Sequence, residues 1–393
     1  MLFWAIVGPA LALGLLSLAG DPARARYVRR RLAGPPAADP PPVTVIVPVK
    51  GSDEGLRENL KALASLEYPD YELIVVAWRP EDLPDGVVPS RARVVFASDT
   101  NPPPESSEKI RNLLAAVNQA RPDTEVFAFA DSDGRVSPGW LLALAQPLAE
   151  DGVGAATGYR WHVPDPPDLW SLLRSVWNAV AAGSLGPGDN PFAWGGAMAI
   201  RREAFKKTRV ADYWRGAISD DYALAAAVKD AGLRVAYAPG ALVAATDHTS
   251  RPELFEWIGR QLAITRVYRP ALWRAGLAAH LLYCAAMLAS LAVTIQGNLT
   301  GVYTLVAQLF LGMAKGANRL RLAKLCLPGW RDWFARHGWV HVWWTPLAAW
   351  VWLYGFIASA GTRAIVWRGR RYRLDPPAYR RRPSAPANVV DLE

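Results

Sequence analysis

The sequence contains only two cysteines in 393 residues, Cys284 and Cys326. Two thiols cannot build a disulfide framework or a four-thiolate zinc site. The chain also lacks a Gly-x-Gly-x-x-Gly fingerprint and a P-loop, so neither a dinucleotide signature nor a Walker-type nucleotide site can be argued. No internal repeat is visible, which argues against a solenoid or propeller, and no nucleophile elbow accompanies the serines. Charge is missing over long stretches. Residues 1–20 have no charged side chain, Ala275–Ala314 contains no Asp, Glu, Lys or Arg, and residues 338–362 are uncharged apart from His341.

What is present is apolar, aromatic and locally basic. Hydrophobic residues make up 51% of the chain, with 18 Trp, too apolar for a disordered polymer. The length allows two or three domains with a sizeable core. The net charge of +9 would suit a nucleic-acid binder if it were spread over a groove, but it is not. Residues 21–31 hold five Arg and residues 363–382 hold eight, against one Asp in each cluster, and these alone exceed the whole net charge. Each cluster follows an apolar stretch, which fits cytoplasmic anchoring beside a bilayer and argues against nucleic acid as a partner.

Twenty uncharged residues at ~1.5 Å each match the ~30 Å hydrocarbon core. Residues 1–20 lack a basic leader and are followed by arginines that oppose export, so they read as a signal anchor with an external N-terminus. Residues 21–42 read as a basic, Pro-rich linker. Residues 271–318 accommodate two further membrane helices, with Gly297 and Asn298 at the turn and Lys315 and Arg319 marking the return to the cytoplasm. A third crossing after them would leave the Arg-rich C-terminus outside. With seven Trp between Trp330 and Trp352 and a proline at Pro346, residues 319–366 are expected to be interfacial or re-entrant helices. Residues 367–393 read as a basic tail. The expectation is a multi-pass protein of a bacterial inner membrane, its soluble domain cytoplasmic.

Between the membrane blocks, residues 43–270 alternate short apolar runs with amphipathic segments. Val43–Val47, Leu73–Ala77, Val94–Ala97 and Val126–Ala130 read as strands; residues 53–66 and Lys109–Ala120 read as helices. This is the pattern of an α/β domain with a mostly parallel sheet. Ligands of such sheets bind beyond the carboxyl ends of the strands, just after Val47, Ala77 and Ala130.

Asp131-Ser132-Asp133 sits at one of those ends. Two carboxylates there could hold Mg²⁺ or Mn²⁺ through oxygen ligands, with a substrate diphosphate on the metal; a solvated Asp-Ser-Asp-Gly turn explains the tripeptide equally well. Asp220-Asp221 opens a helical segment, where acidic residues also serve as caps, although adjacent carboxylates repel and raise a pKa as a general base requires. Trp194-Gly195-Gly196 allows close approach to the backbone or merely a tight turn. Lys109 has a solvated helix face as its plain reading, and His162 has no evident partner.

Taken in order, Val43–Gly51, Asn101-Pro102, Lys109–Leu113, Asp131–Asp133, Trp194–Arg202, Ser219–Leu224, Arg260–Arg266 and Trp367–Arg373 resemble the ceramide glucosyltransferase-like branch, family 21, of the family 2 glycosyltransferases. The resemblance spans residues 40–375 and implies a GT-A fold flanked by transmembrane and interfacial helices. It implies a nucleotide-sugar donor, a divalent metal and an inverting hexosyl transfer to a membrane lipid: ceramide, a hopanoid or a diacylglycerol. Carried over, Asp131 and Asp133 correspond to the metal pair and Asp221 to the catalytic base, with Asp220 its acidic neighbour. Pro48, Lys50, Asp82, Lys109, Asp131, Arg260 and Arg266 are assigned to the nucleotide sugar. Trp194, Gly195 and Gly196 are assigned to the acceptor and sugar pocket. The chain departs from the family pattern twice. Trp257-Ile-Gly-Arg260-Gln261 replaces the family's Trp with Gln261, and Arg79 stands near the uridine-contacting Asp, leaving Asp82 or Glu81 to substitute. A polyprenyl-phosphate sugar transferase, a processive polysaccharide synthase and a non-catalytic membrane scaffold are the alternatives.

Overall fold

The computed structural model describes residues 1–34, 39–100, 106–377 and 379. Asn101-Pro102, part of the linker and the end of the basic tail lie outside the described residues. Strands β1 (Val43–Pro48), β2 (Tyr71–Ala77), β3 (Arg93–Phe96), β4 (Val126–Ala130), β5 (Val153–His162), β6 (Ala197–Arg201) and β7 (Arg234–Ala245) form one sheet, ordered β3-β2-β1-β4-β6-β5-β7. β1 pairs in parallel with β2 and β4, and β2 with β3; β6 runs antiparallel between β4 and β5. β1, β2 and β4 are runs of Val, Ile, Phe and Ala buried on both faces, as a parallel sheet between helices requires.

Two apolar layers follow from this. On one face Leu56, Leu60 and Leu63 of helix Leu56–Ala64 pack with Trp140 and Leu144. On the other, helices Glu108–Asn118 and Asp220–Asp230 close over Ile46, Phe127 and Phe129, with Trp214 against Phe129. Each fully buried side chain of this size is worth ~2–3 kcal/mol of transfer free energy. The layers hold the carboxyl ends of β1 and β4 at one open edge.

Outside the sheet, helices Leu2–Ala19, Pro270–Ile295 and Leu299–Cys326 pack together, the last two joined by a turn at Gly297 with φ of 78°. By length and apolarity, Leu2–Ala33 and Pro270–Ile295 qualify as membrane-crossing helices. Leu288, Leu291, Val302, Val306 and Phe310 lie exposed on this bundle, apolar surface that water would disfavour. Thr345–Ala360 has 16 residues, at ~24 Å shorter than a bilayer core.

Two segments differ from the sequence reading. Residues 21–33, expected as linker, form helix Asp21–Ala33, because Tyr27 and Val28 are buried against the domain and the Tyr27 hydroxyl donates to the Tyr237 carbonyl at 2.5 Å. The start of the basic tail is ordered too: β8 (Ala364–Trp367) and β9 (Arg370–Arg373) form an antiparallel hairpin. Arg368 and Gly369 both have positive φ, the geometry a two-residue turn demands.

Candidate active site

The site is built at the open edge between β1 and β4. Asp131 and Asp133 leave the end of β4, and Lys109 projects from the first turn of helix Glu108–Asn118, whose N-cap is Ser107. The Lys109 ammonium donates to Asp131 Oδ1 at 2.8 Å and pairs with Asp220 Oδ2 at 3.2 Å. One cation thus ties together carboxylates 89 positions apart in the chain. From β5, Arg160 bridges the two aspartates: its guanidinium reaches Asp131 Oδ2 at 3.3 Å and Asp133 at 2.5 and 3.0 Å, with Trp194 beneath it at 4.9 Å.

The glycines of Trp194-Gly195-Gly196 are required by close approach. A Cβ on Gly195 would lie 2.5 Å from Asp220 Oδ2 and 2.9 Å from Lys109 Nζ; one on Gly196 would lie 2.7 Å from Asp131 Oδ2. Backbone therefore lines the cleft where side chains would fill it.

The two acidic neighbours divide their work. Asp220 is 3% exposed and holds Lys109. Asp221 is half-buried and fixed from both sides: Oδ1 accepts from the Tyr222 amide at 2.7 Å and from the Ser219 hydroxyl, and Oδ2 from the Gly195 amide at 3.3 Å. A carboxylate that accepts from three donors is fixed in orientation. The pair lies at a capped helix start, with Ser219 as the N-cap, and Asp221 also accepts from the Gly195 amide.

Burial dominates the electrostatics. It pushes Asp220 up to about 6 against the pull of Lys109, helped by the nearby charges of Asp221 and Asp131. It acts upward on Asp131 as well, but Lys109 and Arg160 outweigh it and hold this carboxyl below its ordinary value. Asp133 is raised, by burial and by the charges of Asp131, Asp247 and Asp53, despite Arg160. Neighbouring carboxylates with opposed shifts are a common mark of functional sites.

The donor set fits a hard divalent cation. Asp131 and Asp133 already share one positive group, and both offer only oxygen. Among the described residues no group of three or more His, Cys, Asp or Glu could hold a metal, so further ligands have to come from a substrate, as is usual for Mg²⁺ with phosphates.

Around the carboxylates lies a cleft of about 110 Å³, lined by Pro48, Lys50, Lys109, Asp131, Asp133 and residues of the hairpin. Lys50 pairs with buried Glu108 at 2.7 Å, and Arg370 pairs with the same carboxylate at 2.8 Å. Arg368 at the hairpin tip bonds Asp53 and the Lys50 carbonyl. Arg260, on helix Arg251–Tyr268, lies within electrostatic range of Asp133, Arg160 and Arg368; burial, then those arginines, lower its pKa.

Two expected donor residues lie elsewhere. Asp82 ends a short turn after β2, where its carbonyl accepts from Gly51, and it does not line the cleft. Arg266 donates to the Thr362 carbonyl at the root of the hairpin, because its helix turns it away from the carboxylates. His162 is buried between Trp257 and Asp247, its pKa pushed down to about 3 by burial and by Arg174. It lines no part of the cleft, as its structural reading expected.

Arg160, Asp53, Glu108, Arg368 and Arg370 were missed in the sequence. A signal for Arg160 existed: a lone cation inside the apolar run Val153–His162 has to find a buried carboxylate. The hairpin was hidden by its charge, although Arg368-Gly369 between two short strands is a turn signal.

Against known proteins, the chain matches Glycosyl transferase family 21 over residues 4–378. The chain belongs to that family. It is therefore a glycosyltransferase, and the match covers the apolar helices and the hairpin as well as the sheet. Among solved structures it is similar to a mannosyltransferase of Pyrobaculum calidifontis in complex with GDP-Man and Mn²⁺, at 19% identity and a TM-score of 0.43, covering 89% of this chain and 97% of the other. It is also similar to glucosyl-3-phosphoglycerate synthase of Mycobacterium tuberculosis in complex with Mn²⁺ and UDP-glucose, at 18% identity and a TM-score of 0.35, covering 60% and 81%.

Proposed function

We propose that this family 21 enzyme transfers a hexose from a nucleotide sugar, a UDP-sugar in the first instance, to the hydroxyl of a membrane lipid of the ceramide, hopanoid or diacylglycerol kind, forming a β-glycoside. The observation that carries this reading is the convergence of Asp131, Lys109, Asp220 and Asp221 around the Gly195-Gly196 backbone, with Asp133 joined to Asp131 through Arg160.

Asp221 is the general base. Its orientation by Ser219, Tyr222 and Gly195 leaves a fixed carboxylate beside the cleft floor, ready to take a proton from an attacking hydroxyl. Positioned base catalysis contributes ~10²–10⁴ in rate, so the leaving group needs help as well. Lys109, Arg160, Arg260 and Arg368 surround the place of the diphosphate and offset its developing charge. A divalent cation held by Asp131 and Asp133 supplies further positive charge for the leaving diphosphate when bound. Asp220 keeps Lys109 in place. A single displacement of an α-linked leaving group gives inversion.

The exposed apolar bundle beside the domain supports an acceptor drawn from the bilayer, with the catalytic domain on the cytoplasmic side beside the basic segments. The test is to incubate purified enzyme with UDP-glucose, Mn²⁺ and lipid extract, then determine product mass and anomeric coupling. A hexosyl lipid with the large coupling of a β-anomer is expected. An α-product would remove the single displacement, and an acid-labile glycosyl phosphate would transfer the reading to a phosphate acceptor.

A further inference from the structure

A second cavity, of about 240 Å³, lies between helices Leu2–Ala19, Pro270–Ile295, Leu299–Cys326 and Thr345–Ala360, and shares no lining residue with the catalytic cleft. It is divided along its length. Leu13, Ala279, Leu282 and Leu311 line one part; Asp21, Arg24, Lys315 and Arg319 line the other. At ~1.5 Å per residue, Lys315 and Arg319 stand ~24 and ~30 Å from the start of their helix, and Asp21 stands ~28 Å from Leu2. The charges therefore gather at one level, one bilayer thickness from the outer turn.

Those charges do not balance. Asp21 is the single acidic residue lining the cavity, and both its oxygens are engaged: Oδ1 by Arg24 at 2.9 Å and Oδ2 by Asn318 at 2.7 Å. Among the described residues Arg319 hydrogen-bonds the Thr345 hydroxyl, at 3.5 Å. Lys315, half-buried, has Arg319 and Asp21 as its charged neighbours and makes neither a hydrogen bond nor an ion pair among the described residues. Two cations four residues apart on one helix thus line a space whose walls also carry Leu13, Leu282 and Leu311. Such groups are costly unless an anion meets them.

We infer that this cavity binds a membrane phospholipid, its headgroup phosphate between Lys315 and Arg319 and an acyl chain along Leu13, Leu282 and Leu311. The site is separate from the transfer site and rests on the reading of these helices as membrane-spanning. Polar head and apolar wall run in the order a lipid has, and the net positive lining selects anionic over zwitterionic headgroups.

The experiment uses the full chain in nanodiscs of phosphatidylcholine with phosphatidylglycerol, followed by mass spectrometry of the lipids that remain bound. Phosphatidylglycerol should be enriched by about tenfold over its share. Lys315→Gln with Arg319→Gln should abolish the enrichment, and Lys315→Arg should keep it. Glycerol phosphate without acyl chains should not compete at equal concentration. Retention of both lipids in their mixed proportion by the unaltered protein overturns the site, whether or not the double variant folds, and competition by glycerol phosphate overturns the acyl contact. Alkaline carbonate extraction of the same membranes separates the premises: release of the chain removes the spanning reading and the site together, whereas retention without enrichment removes the site alone.

Discussion

Asp220 and Asp221 are adjacent in sequence, yet the fold gives them different charge environments, and this decides which can act. Asp220 is buried against Lys109; Asp221 is half-buried and braced at the helix start by Ser219, Tyr222 and Gly195. The pH dependence follows. Asp220 faces Lys109 from the neighbouring helix, Asp131 from β4 and Asp221 beside it, and burial lifts it to about 6. Ionised Asp220 is the form that holds Lys109, so kcat/KM should fall as pH drops through 6. Replacing Asp220 with Asn should remove that limb from the pH profile while lowering activity throughout. For stability the sign is opposite: a carboxyl raised above its unfolded value, ~4, costs folding energy when ionised. That cost is present above pH 6 and relieved as pH falls from 6 toward 4. Gly196→Ala tests the floor. Its Cβ would press on Asp131, so UDP binding with Mn²⁺ measured by calorimetry should weaken at least tenfold while thermal unfolding stays cooperative.

At the scale of elements, the sheet was legible and its cover was not. Val43–Val47 and Val126–Ala130 announce buried parallel strands because β-branched and small apolar residues run without interruption, and their ends lead to the edge where Lys50, Asp131 and Asp133 gather. Asp131, Lys109 and Asp220 were legible as candidates; that one ammonium would bond two of them depends on a register between helix and strand that no local pattern encodes. The hairpin was masked for another reason. Its arginines read as a solvated charge run, but Arg368, Arg370 and Tyr372 turn inward to Asp53, Lys50 and Glu108. Arg266 was misplaced by the converse error, since helical phase sends it to Thr362. The hairpin's role is measurable. Arg368→Ala removes a charge-assisted contact worth ~1.5–3 kcal/mol, so the donor KM should rise ~10–100-fold, more than kcat falls. Unchanged KM would detach the hairpin from the donor.

For the whole molecule, the docking of helix Asp21–Ala33 on β7 makes the first apolar helix part of one body with the catalytic domain rather than a tether. Tyr27 bonds the Tyr237 carbonyl, and Arg31 pairs with Glu150. The domain is thereby packed against the bundle, as the proposed transfer to a lipid hydroxyl would require. Topology is open to labelling, because Cys284 and Cys326 are both buried. In intact cells, Gln296→Cys should react with an impermeant maleimide from outside, while Glu81→Cys should react only after the membrane is opened; the reverse pattern would invert the orientation.

The division of labour among the acidic residues is the claim on which the mechanism stands. It is tested most directly by measuring turnover and UDP binding on Asp221→Asn beside Asp131→Asn, both with Mn²⁺. Asp221→Asn should lose ~10²–10⁴ in kcat while binding UDP within about threefold of the unaltered enzyme, and Asp131→Asn should lose binding. An Asp221→Asn enzyme that keeps near-normal turnover, or that loses UDP as Asp131→Asn does, would contradict the account.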